Sequence, residues 1–273
     1  MRSFENVPRR RHVIRLVAAA IPALALGACK TSTAAETLTT TYGTAVRVGD
    51  GNARVYVVSA GAEPREIGVA LSEAAMSGLP ADHAPGGVQM PDGHHTYDLV
   101  LNMPAQNPTP YQFALLGWNP AGHEPAKVYD RPHFDFHFYT MSDAERSTIL
   151  PTDPEFAQKA ARGPSPELVP AGYTQLPGAV PMMGAHWVDP SSPELGGEPF
   201  TRTFLYGSWD GKLAFAEPMI TKAFLESKPD LRAAIKVPAR YATPGYYPKE
   251  YRVYWEPTRR EYRVALSALA RQP

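Results

Sequence analysis

The chain has 273 residues, with 27 basic and 27 acidic side chains and a single cysteine. One cysteine excludes an internal disulfide, so stability must come from core packing or from a metal. Beyond residue 28 the balance is mildly acidic, 22 basic against 26 acidic side chains, which argues against nucleic acid, since phosphate recognition needs a basic surface.

The N-terminus reads as a processing signal. Arg9, Arg10, Arg11 and Arg15 are followed at residues 16–28 by an apolar run of thirteen residues without a charge. A membrane-spanning helix needs roughly 20 such residues, so this run is too short to span. Leu26-Gly27-Ala28-Cys29 resembles the lipobox of bacterial lipoproteins, in which the cysteine is acylated and becomes the mature N-terminus. That resemblance implies a lipid anchor on a membrane of the cell envelope, with the domain facing the periplasm or the exterior. Arg10-Arg11-His12-Val13-Ile14-Arg15 is similar to a twin-arginine export signal. Replacing Cys29 by Ala is expected to release the domain from membranes or to block its processing. Membrane partition as complete as that of the parent chain would exclude acylation there.

Residues 29–42 are small, polar and threonine-rich, which suits a flexible tether. Residues 43–273 are expected to form a single β-rich domain. The 29 prolines are roughly twice the usual share of about 5%, favouring loops and short strands over long helices. Strands are expected at 45–48, 54–59, 97–103 and 111–116, with a Gly/Pro/His loop at 78–93. Residues 67–76 fit either a helix or a strand. Alternating aromatic and polar residues predict a strand over 133–139. Ser142-Asp143-Ala144-Glu145 has the form of a capping box, and Asp153-Pro154 that of a helix start. Strands at 202–206 and 213–216 meet at Asp210-Gly211, a helix covers 220–227, and a hairpin pairs 250–255 with 262–266. The fold class expected is mainly β with a few short helices, a sandwich or a partly closed barrel with some α+β character.

Pro132-His133-Phe134-Asp135-Phe136-His137-Phe138-Tyr139 carries the chemistry. On a strand, His133, Asp135, His137 and Tyr139 share one face while the three phenylalanines occupy the other. Imidazole and carboxylate are ligands for a divalent metal such as zinc, manganese or iron. Residues four apart on a strand are about 13 Å apart, so His133 and His137 share an ion only on a bulged or strongly twisted strand. His186, behind the close-approach residue Gly184, is expected to converge with them on one pocket. Glu217 at a strand end, Asp135 or His123 would complete it. His83, His94 and His95 fall in a polar loop and are set aside, and Glu124 and Asp189 read as solvated or capping residues.

PHFDFHFY, MGAHWVD and YGSWDGKLAFAEPMIT together resemble an uncharacterised family of exported bacterial proteins, a domain of unknown function, over residues 95–228. The resemblance implies export and a shared histidine-bearing core, and it brings no activity. Three functions stay open. The metal is structural or handled as cargo; or an open coordination position, as in cupin-like enzymes, activates water or oxygen; or there is no metal, and exposed Tyr246, Tyr247, Tyr251 and Tyr254 bind a protein. The cupin comparison rests on ligand types alone, because the histidines here are four apart. Nothing in the sequence excludes a homo-oligomer.

Overall fold

The computed structural model describes residues 36–273, so the leader, the lipobox and Cys29 lie outside the described residues. The residues from Thr37 onward make one compact unit. Its first sheet runs, in spatial order, Leu38–Tyr42, Gly51–Ala60, Glu63–Ser72, Glu261–Ser267, Glu250–Glu256 and Asp230–Ala234, with Val46–Val48 also paired to Gly51–Ala60. The second runs Val88–Gln89, His95–Asn102, Phe113–Asn119, His133–Tyr139, Lys212–Thr221, Arg202–Trp209, Ala185–Val188 and Thr174–Gln175. From Leu38 the described chain therefore starts in one sheet, builds the other, and returns to set Glu261–Ser267 beside Glu63–Ser72. A small ribbon pairs Gly245–Tyr247 with Ala270–Gln272.

Alternating apolar residues explain why the sheets face each other. Val55, Val57, Val69 and Val264 from the first sheet share one core with Leu116, Phe134, Phe136, Phe138 and Ile220 from the second. The architecture is a mainly β sandwich with short helices, and it is not closed into a barrel. β-Branched and aromatic residues dominate that interface because they fill a pleated surface well.

Local signals are borne out to different degrees. Ser142 caps the helix Asp143–Arg146 with both reciprocal hydrogen bonds of a capping box. Asp210 and Gly211 both adopt positive φ, 48° and 80°, as the tight turn between Arg202–Trp209 and Lys212–Thr221 requires. The stretch 67–76 resolves into the end of the strand Glu63–Ser72 followed by a 3-10 turn, Glu73–Met76.

Four expectations need correction. Residues 38–42, assigned to the tether, form an edge strand paired with Gly51–Ala60, as their run of threonines permits. The helix expected at 220–227 begins only at Lys222, because Ile220 and Thr221 still pair in the sheet. Thr221 then caps it by accepting from the Phe224 N–H at 3.3 Å. Asp153 sits outside the helix Phe156–Ala161 and accepts the Glu155 N–H at 2.9 Å, so it makes a turn ahead of the start. Finally, Tyr247 and Tyr251 are buried in the core, at 6% and 5% exposure, so the proposed four-tyrosine surface does not exist as such.

Candidate metal centre

The strand His133–Tyr139 is the fourth of the eight in its sheet, and all seven of its residues are buried. Phe134, Phe136 and Phe138 point into the sandwich. The opposite face carries His133, Asp135 and His137, at 0%, 5% and 1% exposure. Ionisable groups this deep cost several kcal/mol each unless paired, hydrogen-bonded or bound to metal.

Six groups from four separate stretches gather on that face, and they form two trios rather than one cluster. His123, His133 and Asp135 make one; His137, His186 and Glu217 make the other; in each, the ligand-capable atoms lie within 4.8 Å of one another. The expected single convergence is thus corrected: His186 joins His137 but not His133. The strand is regular along 133–139, and its rise keeps these two histidines on separate centres.

In the first trio, Asp135 Oδ1 lies 3.1 Å from His133 Nε2, and Oδ2 lies 3.4 Å from His123 Nε2. In the second, Glu217 Oε1 is 3.2 Å from His137 Nε2 and Oε2 is 3.6 Å from His186 Nε2. Ligands about 2.1 Å from a tetrahedral ion sit about 3.4 Å apart, so both sets have the spacing of a coordination shell. A hydrogen-bonded network explains them less well. Among the described residues, His133 Nε2, Asp135 Oδ1, both ring nitrogens of His137 and Glu217 Oε2 are buried without a hydrogen bond.

Tautomers sharpen the first trio. His123 Nδ1 lies 2.7 Å from the Glu124 carbonyl oxygen and His133 Nδ1 lies 2.6 Å from that of Arg131. A carbonyl only accepts, so each Nδ1 carries a proton, and in the neutral form of either ring the Nε2 lone pair turns toward Asp135. Lone pairs facing a carboxylate repel unless a second proton or a metal ion stands between them. Backbone carbonyls holding Nδ1–H in this way also orient histidine ligands in metal sites. Burial lowers the pKa of His123, but Asp135 beside it more than compensates, and the net shift is upward. Burial would raise the Asp135 carboxyl, yet the neighbouring His133 and His123 hold it well below the usual carboxylate range. Asn119 Nδ2 donates to Asp135 Oδ2 at 2.7 Å and fixes that carboxylate.

The second trio depends on cross-strand register. Ala216 pairs with Phe138 and Met219 with Asp135, which sets Glu217 opposite His137. Pro218, with no N–H to donate, sits next to Glu217 inside the strand Lys212–Thr221; Glu217 is therefore not at a strand end as expected. His186 reaches across from the strand Ala185–Val188, where it pairs with Gly207. A Cβ on Gly207 would fall 1.9 Å from the Phe215 ring, so only glycine lets that ring lie between His137 and His186, 4.9 and 5.3 Å from each. Gly184 takes φ 124° and lies close to the Ser208 carbonyl, as its place before His186 suggested. Burial drives His137 down to about 4 and, with His137 and His123 nearby, His186 down to about 3. Burial and the charges of Asp135 and Asp98 raise the Glu217 carboxyl well above its usual value.

A pocket of about 580 Å³ opens against both trios, lined among others by His123 and Asp135 from one and His186 and Glu217 from the other. His133 and His137 stand behind them, away from the pocket. Two further groups were missed in the sequence. Asn119 has no signal beyond its place next to a strand end. Asp98 pairs with Gly117, which pairs with Asp135, so the two carboxylates face one another across a residue without a side chain. Asp98 reaches solvent, yet the protein crowded around it and the Asp135 charge push its carboxyl up to about 6. Tyr139, the last of the alternating row, stacks on Phe113 and on the His137 ring, meets Phe215 at a tilt, and is a ligand in neither trio. Glu124 and Asp189 serve as expected: Glu124 is exposed to solvent, and Asp189 pairs with Lys236 and caps Ser191. Compared with protein-family profiles, curated proteins and solved structures, the chain finds no match, and the chemistry of the site rests on its own geometry.

Proposed function

We propose that this protein is an envelope lipoprotein, anchored through Cys29, that binds divalent transition metal at two His₂-carboxylate trios facing one pocket. One observation carries the reading: the Nε2 lone pairs of His123 and His133 converge on Asp135 while both Nδ1 protons are committed to backbone carbonyls. Zinc, manganese and iron all accept two imidazoles and a carboxylate. Three protein ligands per trio, with the pocket on the open side, suit an exchangeable or reactive ion better than a closed structural one. The pocket also supports a second reading, a metalloenzyme whose ion meets a small molecule there. The likeness of three sequence segments to an exported family supports the location and leaves the reaction open.

The test uses the tag-free chain purified in detergent, stripped with EDTA and titrated with zinc. At a hundredfold excess over Kd the ion should add about 2.7 kcal/mol, raising Tm by roughly 5–10 °C for a chain of this size. His133→Ala and His137→Ala should each remove one interior equivalent and part of that rise. His186→Ala should lower metal content and thermal stability together. No zinc uptake and no change in Tm after reconstitution would end the metal reading in favour of a buried polar network.

A further inference from the structure

A third group of metal-ligating side chains stands apart from both trios, on the Gly/Pro/His loop that the sequence marks at 78–93 and at the start of the strand His95–Asn102 that follows it. Asp82 lies at its centre. One carboxylate oxygen, Oδ1, accepts the N–H of His83 at 3.0 Å and that of His95 at 2.8 Å. The other, Oδ2, lies 2.7 Å from His94 Nδ1. Two more imidazole nitrogens approach without hydrogen-bonding it: His83 Nε2 at 3.3 Å from Oδ2 and His95 Nδ1 at 3.8 Å from Oδ1. His95 Nδ1 is itself buried and makes no hydrogen bond among the described residues. The His83 and His95 rings meet edge to face, their centroids 4.7 Å apart.

This loop is held in shape. The Tyr97 hydroxyl lies 2.8 Å from the carbonyl oxygens of both Ala81 and Ala84, and Trp118 Nε1 donates to the Pro80 carbonyl at 2.9 Å. His83 adopts φ 62°, a left-handed conformation that costs a residue with a Cβ about 1 kcal/mol or more. That conformation accompanies the placing of its ring against Asp82 and His95. The ligand atoms of Asp82, His83 and His95 fall within 4.8 Å of one another, the same coordination spacing as the interior trios, while His94 holds the carboxylate in place.

We propose that Asp82, His83 and His95 form a surface site for a divalent transition metal of the imidazole-preferring class, zinc, nickel or copper, separate from the interior trios. Its exposure sets its behaviour. The His83 side chain is 62% exposed, so a bound ion stays open to water and exchanges faster than one held by buried ligands. The site also sits beside the pocket mouth. Asp92, which accepts the His94 N–H at 3.0 Å and the Glu124 N–H at 3.1 Å, lines the pocket together with Thr96. An ion captured on the loop is therefore held near the entrance to the interior centre.

Calorimetric zinc titration of the metal-stripped chain tests this with four proteins: the parent, a His83→Ala/His95→Ala variant, a His133→Ala/His137→Ala variant, and Asp82→Asn. The parent should show a weaker class of site beside the interior ones. The loop variant should lose that class, its affinity falling roughly 100-fold or more, and should keep the zinc-induced rise in Tm. The interior variant should keep the weaker class and lose the rise. Asp82→Asn, which changes charge with little change of shape, should weaken the same class. If the loop variant binds as much zinc as the parent with the same affinities, the surface site does not exist. If the parent shows only the weaker class and the loop variant abolishes it, the surface site stands and the interior reading fails.

Discussion

Phe136→Ala should destabilise the fold by about 3–5 kcal/mol, the usual range for removing a fully buried aromatic ring from a core that cannot collapse around the gap. Phe136 has no solvent exposure and belongs to the core shared by both sheets. It sits on the central strand of its sheet, where neighbouring strands on either side restrain relaxation. For a domain of this size each kcal/mol moves Tm by about 2–4 °C, so a fall of roughly 10 °C is expected. Phe136→Leu should cost much less, because it keeps most of the volume. The ring points away from His133, Asp135 and His137, so zinc stoichiometry measured well below the lowered Tm should not change. A Tm within 2–3 °C of the parent (roughly 1 kcal/mol) would show that the phenylalanine face is not the structural half of this strand.

Acid should destabilise the metal-free protein well before the carboxylates protonate generally. His137 and His186 have folded pKa values of about 4 and about 3, against a usual 6.5. Below pH 6.5 the unfolded imidazoles take up protons that the buried ones refuse, so stability present above pH 6.5 is lost as pH falls. Glu217 works the other way. Its raised folded pKa means that the unfolded chain ionises first above its usual 4.5, and this costs the fold increasingly as pH rises. Two histidines against Glu217 leave a net loss as pH falls, which the raised Asp98 carboxyl partly offsets between pH 6 and 4. Between pH 6.5 and 4 the sum is a loss on the order of 1–4 kcal/mol, the lower end applying where Asp98 keeps its full upward shift, against the roughly 5–15 kcal/mol a domain has. The urea midpoint in EDTA should fall over that range, and His186→Asn should lessen the fall. A midpoint constant from pH 6.5 to 4 would mean that these imidazoles are not held neutral in the fold.

Much of this protein was legible in its sequence because the controlling rules are local. The two-residue period of Phe134, Phe136 and Phe138 against His133, Asp135 and His137 defines a strand and both of its faces without any partner in view. The Ser142 capping box and the Asp210-Gly211 turn likewise act within four residues, and both appear as expected. The division of six ligand-capable residues into two trios was decided by tertiary structure alone. Register sets Glu217 opposite His137, Gly207 makes room for the Phe215 ring between His137 and His186, and the loop after Asn119 brings His123 to Asp135. The same holds for Asp82, whose three histidines gather only because Tyr97 and Trp118 pin the loop from outside it. Residue type and spacing determine which groups are able to ligate. Which of them share a centre depends on strand order and register, which are set by the burial of apolar faces far along the chain.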